Sequence, residues 1–194
     1  TRTRRQRQMC IRDSSLPMPE KKIALLKKIE GLKIDPIISA ELDIVAKRLE
    51  DSGWVIEEPK APNFQEAAKF QATLWLGEFR RTGGEAITKE NDPDSNFIYS
   101  QMSRRCPDTS LEKFMDSLQQ RARISREWNK FFDQHPIILC PITGDIPFPD
   151  LKDLESEESF DLVFDSMLPQ IAPPYMGLPG LSFATSQTKQ KIPL

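Results

Sequence analysis

Few residues of this 194-residue chain have the types and spacing that covalent catalysis needs. Ser182 lies in Gly-Leu-Ser-Phe-Ala, close to the G-x-S-x-G pattern of a nucleophile elbow, but alanine replaces the last glycine and no helix is predicted to follow. His135 is the only histidine and has no evident serine or cysteine partner. Cys140 ends an apolar run, which is typical of an inert core thiol. We therefore expect no catalytic residue here.

Metal and cofactor sites are not predicted either. The three cysteines and one histidine form no C-x₂-C or H-x₃-H spacing. The acidic segment 145–158 lacks the Asp-x-Asp-x-Asp-Gly pattern of a calcium loop, and the chain has no glycine-rich phosphate loop. We expect the protein to use neither a metal nor a cofactor.

The composition is that of a folded protein, with 38% apolar and 29% charged residues. No stretch approaches the ~18–20 consecutive apolar residues of a membrane-spanning helix. A formal net charge of −2 does not indicate the excess of basic residues that is typical of nucleic-acid-binding proteins. We expect a cytoplasmic protein that binds neither membranes nor nucleic acid, with a second copy of itself as a candidate partner.

The first 14 residues are predicted to be an artefact. Residues 4–14 read RRQRQMCIRDS, which back-translates to the adapter that transposase-based library preparation attaches to DNA. Leaving out residues 1–14 lowers Lys+Arg from 27 to 22 and Asp+Glu from 29 to 28, so the remaining net charge is −6. We assign residues 1–14 to this tail and residues 15–194 to part of one domain, truncated at both ends.

The elements that must position any site begin with a strand–helix–strand unit. Residues 22–26 predict a strand, and Asp35-Pro36 predicts the start of a helix. An apolar stripe at spacings of 4, 3 and 4 continues the helix, which ends at Gly53, and residues 54–56 predict the next strand. This order favours a right-handed crossover between parallel strands.

Further elements follow from caps and periodicity. Helices are predicted from Asn63 toward Arg80 and over residues 109–133, with a surface loop or hinge at 82–96 between them. Residues 137–140 (IILC) predict a strand buried on both faces.

The C-terminal part is predicted to end in a strand. Residues 160–168 form a short helix that Pro169 ends, and residues 173–180 form a rigid turning segment. Residues 181–185 are then predicted to be a strand near 137–140, with the 109–133 helix across one face.

Three segments carry a family resemblance. The first segment, residues 49–58 (LEDSGWVIEE), closes the strand–helix–strand unit. The second, residues 126–141, fits the pattern "R-x-W-x-x-F…P-x-x-L-x-P". The third, residues 173–183 (PPYMGLPGLSF), is similar to "N-x-x-G-x-P" followed by a strand. Their order and spacing over about 160 residues resemble the C-terminal half of the amidase-signature hydrolases.

The resemblance implies an α/β fold: a mixed, largely parallel sheet covered by helices on both faces, incomplete here. It implies hydrolysis of carboxamide C–N bonds in small molecules by a Ser–cis-Ser–Lys triad. The triad belongs to the N-terminal half of such enzymes, so no triad residue is carried over. Tyr175, Met176 and Leu178 are the positions we expect in the wall of the acyl pocket, with core or turn packing as the alternative.

Two other functions stay open. One is the glutamine-hydrolysing amidotransferase subunit of the same fold, which ranks lower because Pro174 occupies the place of a frequent asparagine. The other is a non-catalytic α/β interaction module. A Gly/Ser-rich signature and a lysine encoded upstream would discriminate the enzymes from the module.

Overall fold

The computed structural model describes residues 20–194. The predicted tail at residues 1–14 therefore lies outside the described residues.

The predicted strand–helix–strand unit is confirmed. It comprises β1 (Lys22–Leu25), α1 (Pro36–Asp51) and β2 (Val55–Glu57), and the two strands pair in parallel with Ile23 opposite Ile56. The Asp35 carboxylate caps α1 by accepting a hydrogen bond of 2.7 Å from the N–H of Ile37. After the helix, Gly53 adopts a φ of +83°, a conformation that favours glycine.

A third strand, β3 (Ile137–Leu139), pairs in parallel with the other side of β1, so the sheet order is β2-β1-β3. The prediction that residues 137–140 are a central strand buried on both faces is wrong, because β3 lies at an edge of this three-stranded sheet and its side chains are only half-buried. The central position belongs to β1, in which Ile23, Ala24 and Leu25 are buried.

Helices cover both faces of the sheet, as predicted. On one face, Leu25 and Leu139 pack against Leu42 and Ala46 of α1. On the other face, Ala24 belongs to the main core cluster, which is built from α2 (Phe64–Thr82), α5 (Leu111–Phe132) and α7 (Leu168–Met176). Phe64 of α2 meets Trp128 of α5 edge-to-face at 4.7 Å between ring centroids, which fixes the crossing of these two helices.

The prediction of a surface loop or hinge at residues 82–96 is wrong. This region forms α3 (Gly84–Glu90) and the start of α4 (Pro93–Arg105). Asn91 ends α3 in the left-handed conformation, and the Asp92 carboxylate caps α4 by accepting from the N–H of Ser95. Glycine, asparagine and proline here mark helix ends rather than an extended loop.

The predictions for the C-terminal part are also corrected. After a 3₁₀ turn at Lys152–Leu154, α6 runs over Glu157–Ser166 and Pro169 lies in the first turn of α7 instead of ending a helix. Pro173 and Pro174 lie within α7, although neither proline has an N–H to donate to the helix. The packing of the buried face of α7 along α2 offsets the loss of these two hydrogen bonds. Residues 181–185 form no strand, and Leu181 is 89% exposed.

None of the helices within residues 20–194 combines the length and the apolar character that crossing a membrane requires.

Candidate functional site

The three positions expected in the pocket wall lie at and just after the end of α7. Tyr175 is 1% exposed and Met176 is buried, both in the main core cluster, and Leu178 packs partly buried against that cluster. Gly177, with a φ of +69°, ends α7 between them and turns the chain toward the exposed segment 179–184. The structure therefore places these side chains together, on the inner side of α7.

Tyr175 connects three helices. Its O–H donates a hydrogen bond to the carbonyl of Ser117 in α5, and its ring stacks on Phe70 of α2 at 5.7 Å between centroids. Burial raises the pKa of the Tyr175 phenol above its ordinary value, so the side chain is neutral at physiological pH.

A cleft of about 670 Å³ is lined in part by the two residues that Tyr175 contacts, whereas Tyr175, Met176 and Leu178 are not themselves among its lining residues. Phe70 and Ser117 line the cleft, so Tyr175 supports its wall from behind. The remaining lining comes from five helices, the segment after α4 and Gly31 between β1 and α1. Its apolar part includes Leu76, Met102, Leu168 and Ile171, and its charged part includes Arg105, Asp108, Lys113 and Asp116. Such a cleft suits a small, partly apolar molecule.

The cleft contains no activated nucleophile. Cys106 lies in it, but the nearest hydrogen-bonding side chain is Thr73, whose Oγ1 is 3.8 Å from the thiol and donates to the carbonyl of Lys69. Among residues 20–194, no serine hydroxyl hydrogen-bonds to a lysine or histidine side chain. The arrangement can bind and orient a molecule, whereas bond cleavage needs a nucleophile with a base in reach.

A smaller cleft of about 380 Å³ lies beyond the carboxyl ends of β1 and β2 and includes Lys27, Lys28 and Lys60. Lys27 Nζ is 2.7 Å from Asp43 Oδ1 and 3.0 Å from Glu58 Oε1. Hydrogen bonds to Asp43 and Glu58 raise the pKa of this amine. Lys27 is therefore a positively charged structural partner rather than a neutral general base.

The other residues considered for catalysis lie apart in roles of their own. His135 is 5% exposed, with its ring edge-on to Phe131 and its Nε2 3.6 Å from Glu57 Oε2. Burial raises the pKa of the Cys140 thiol to about 11, so it is inert at neutral pH. Ser182 is exposed and lies in no helix or strand. The side chains of residues 20–194 form no cluster of metal-binding type.

Sequence reasoning missed the cleft because no helix was predicted over residues 97–105, where Met102 and Arg105 of α4 line it. One signal was present: Asp92-Pro93 repeats the Asp35-Pro36 pair that was recognised as the start of α1. The pairing of α4 with α2 and α6, which forms the cleft, has no comparable local signal.

Comparison with known proteins supplies independent observations of relationship. No family model matches the chain. An indoleacetamide hydrolase of Bradyrhizobium diazoefficiens (strain JCM 10833 / BCRC 13528 / IAM 13628 / NBRC 14792 / USDA 110) is 24% identical over 160 residues, which are 82% of this chain and 30% of that protein. An indoleacetamide hydrolase of Bradyrhizobium japonicum is 25% identical over 122 residues, 63% of this chain and 26% of that protein.

Two solved structures share the fold. A fatty acid amide hydrolase matches 85% of this chain with a TM-score of 0.60 at 16% identity, and a 6-aminohexanoate cyclic dimer hydrolase matches 92% with a TM-score of 0.63 at 12% identity. The chain is thus similar in sequence to indoleacetamide hydrolases and similar in fold to these two hydrolases. It spans less than a third of the two indoleacetamide hydrolases, and 31% and 41% of the two structures. The parallel sheet with helices on both faces is thus part of the amidase-signature fold.

Proposed function

We propose that this chain is the C-terminal half of an amide hydrolase that cleaves carboxamide C–N bonds of small molecules. The observation that carries the proposal is the similarity to the indoleacetamide hydrolase of Bradyrhizobium diazoefficiens over 82% of the chain. The shared fold with two further amide hydrolases supports the same assignment. Residues 1–14 are the adapter-derived tail in this proposal, and residues 15–194 are the partial amidase domain.

The catalytic triad, in this proposal, is the Ser–cis-Ser–Lys set of the family and lies in the part of the relatives that this chain does not span. Support comes from the chemistry of the described residues: Cys106 has no base, Lys27 is paired with two carboxylates, and His135 is buried beside Phe131. The chain would then supply scaffold and binding surface rather than proton transfer or nucleophilic attack.

For the binding surface, we propose that Tyr175, Met176 and Leu178 shape the wall that receives the acyl group of the amide. Tyr175 does so through Phe70 and Ser117, which line the larger cleft directly. The apolar lining from α2 and α7 suits an aromatic or aliphatic acyl group. In the complete enzyme, Met176→Ala and Leu178→Ala should raise KM for an amide with a bulky acyl group more than KM for acetamide.

The test uses the complete gene, recovered from its source without a transposase step. We expect no codons for residues 4–14 and an upstream Gly/Ser-rich signature with a lysine. The complete protein should release ammonia from indoleacetamide or another aryl or aliphatic amide, while the 194-residue chain should not. Release from glutamine alone would favour the amidotransferase subunit. An inactive protein with an intact upstream signature would favour the interaction module, and recovery of the tail codons would contradict the adapter assignment.

A second copy of the complete protein as a partner also stays a prediction, which light scattering of the purified enzyme would test.

A further inference from the structure

Ionic contacts join the C-terminal end of helix α4 to its neighbour α6. None of its 13 residues is fully buried. At its C-terminal end, Arg104 Nη2 and Arg105 Nη1 lie 2.6 Å and 2.7 Å from the same oxygen, Oδ1 of Asp161 in α6. Arg105 Nη2 also donates to Asp165. Arg104 Nε also lies 3.2 Å from Oε1 of Glu157 in α6. We call Arg104, Arg105, Glu157, Asp161 and Asp165 the clasp, because together they join α4 to α6.

The clasp is partly shielded but still reached by solvent. The Arg105 guanidinium carbon lies 4.5 Å from the centroid of the Phe164 ring, a cation–π contact. Hydrogen bonds from Arg105 and Arg104 hold the pKa of the Asp161 carboxyl below its usual range, so the carboxylate is charged at neutral pH. Because salt screens ion pairs between partly exposed side chains, the clasp should weaken as ionic strength rises.

The end of α4 that carries the clasp is also one wall of the larger cleft. Met102, Arg105 and Cys106 line the cleft from this side, facing a wall that includes Thr73 and Leu76 of α2. Few other contacts join α4 and the residues just after it to α2. The ring of Tyr99 meets Phe79 at 5.8 Å between centroids, Arg80 donates to the carbonyl of Cys106, and the Cys106 thiol lies 3.8 Å from Thr73 Oγ1. Arg80 Nη1 also lies 3.9 Å from Oδ1 of the exposed Asp108. Release of the clasp would remove the ion pairs that hold the C-terminal end of α4 against α6, so that this end could shift and widen the cleft.

We propose that α4 is a movable wall of the cleft and that the clasp sets how far the cleft is open. A helix without fully buried residues belongs to the least stable units of a fold, so its opening costs less free energy than unfolding of the core. The inference rests on the proposed function only in taking a small amide as the molecule that enters. Opening itself can be measured without any ligand, so failure of the amidase proposal would leave the result interpretable.

Cys106 reports on the opening because its thiol lies inside the cleft at the end of α4. The 194-residue chain with Cys10→Ser and Cys140→Ala has Cys106 as its single thiol. Its rate of alkylation by N-ethylmaleimide, an uncharged reagent, is followed by intact-protein mass spectrometry at low salt and in about 1 M NaCl. The rate should rise about three- to tenfold with salt if several weak ion pairs hold α4 closed.

Variants of the clasp separate this mechanism from a general effect of salt. Arg105→Gln and Asp161→Asn should each raise the low-salt rate toward the high-salt level and reduce the salt response. The double variant, which leaves only the Arg104–Glu157 pair, should show the smallest salt response. Lys47→Gln, which removes the exposed 3.0 Å pair with Asp51 on α1, is the matched control and should behave like the parent. Circular dichroism and the urea midpoint identify a variant that fails to fold, in which case Asp165→Asn replaces it.

Two results would overturn the proposal: an alkylation rate that does not respond to salt, or clasp variants that react no faster than the Lys47→Gln control.

Discussion

Tyr175 offers a sharp test of how the α2–α5–α7 core is held together. Tyr175→Phe removes only the hydroxyl that donates to the Ser117 carbonyl, while the ring can still stack on Phe70. One hydrogen bond is worth ~0.5–1.5 kcal/mol, so the free energy of unfolding should fall by about 1 kcal/mol. Tyr175→Ala also removes a fully buried ring and should cost ~3–5 kcal/mol.

The measurement is urea unfolding of the 194-residue chain, followed by tryptophan fluorescence and circular dichroism. Trp128 is buried in the same core cluster and reports directly on this region. Phe183→Ala is the matched aromatic control, because that ring is exposed and should contribute less than about 0.5 kcal/mol. A loss in Tyr175→Phe as large as that in Tyr175→Ala, or an alanine variant as stable as the Phe183→Ala control, would refute this description of the core.

Two further predictions concern local features. Asp35→Ala should lower the free energy of unfolding by about 1 kcal/mol, because the N–H of Ile37 loses its cap, while Asp35→Asn should be nearly neutral in the same urea experiment. Burial raises the pKa of the Cys140 thiol from an ordinary 9.0 to about 11 in the folded protein. The stability that this difference contributes is therefore fully present below pH 9 and is lost as the pH rises toward 11. The parent should lose ~2–3 kcal/mol more stability than Cys140→Ala over that interval, and parallel pH profiles for the two proteins would contradict the burial of this thiol.

The sequence predicted best where local signals agree with one another. For β1, α1 and β2, the Asp35-Pro36 start, the apolar stripe and Gly53 all indicate the same order of elements, and the structure has it. The helix begins at Pro36 as predicted, whereas β1 ends one residue earlier and β2 is shifted by one residue from the prediction. The apolar run at 137–140 predicted a strand correctly, but apolarity alone does not tell an edge strand from a central one. That distinction depends on which strands pair, and the pairing of β3 with β1 joins residues far apart in sequence.

The failures have a common physical origin in tertiary packing. Pro173 and Pro174 argue locally against a helix, yet α7 forms because Ala172, Tyr175 and Met176 pack into the core. Tyr175, Met176 and Leu178 belong to or pack against the main core cluster, and none of them lines the cleft. The cleft needs several helices whose mutual placement no local pattern encodes. Its polar side depends on ion pairs such as Arg105–Asp165, which join residues from separate helices.

The most direct test of the central proposal asks which serine of the complete protein is the nucleophile. The recovered full-length protein is treated with a fluorophosphonate, which forms a covalent adduct with an activated serine, and the adduct is located by peptide mass spectrometry. We predict one adduct, on a serine encoded upstream of residue 15, and no adduct on the 194-residue chain treated alone. An adduct on Ser182, or on any other serine of residues 15–194, would contradict the assignment of this chain to the non-catalytic half of an amide hydrolase.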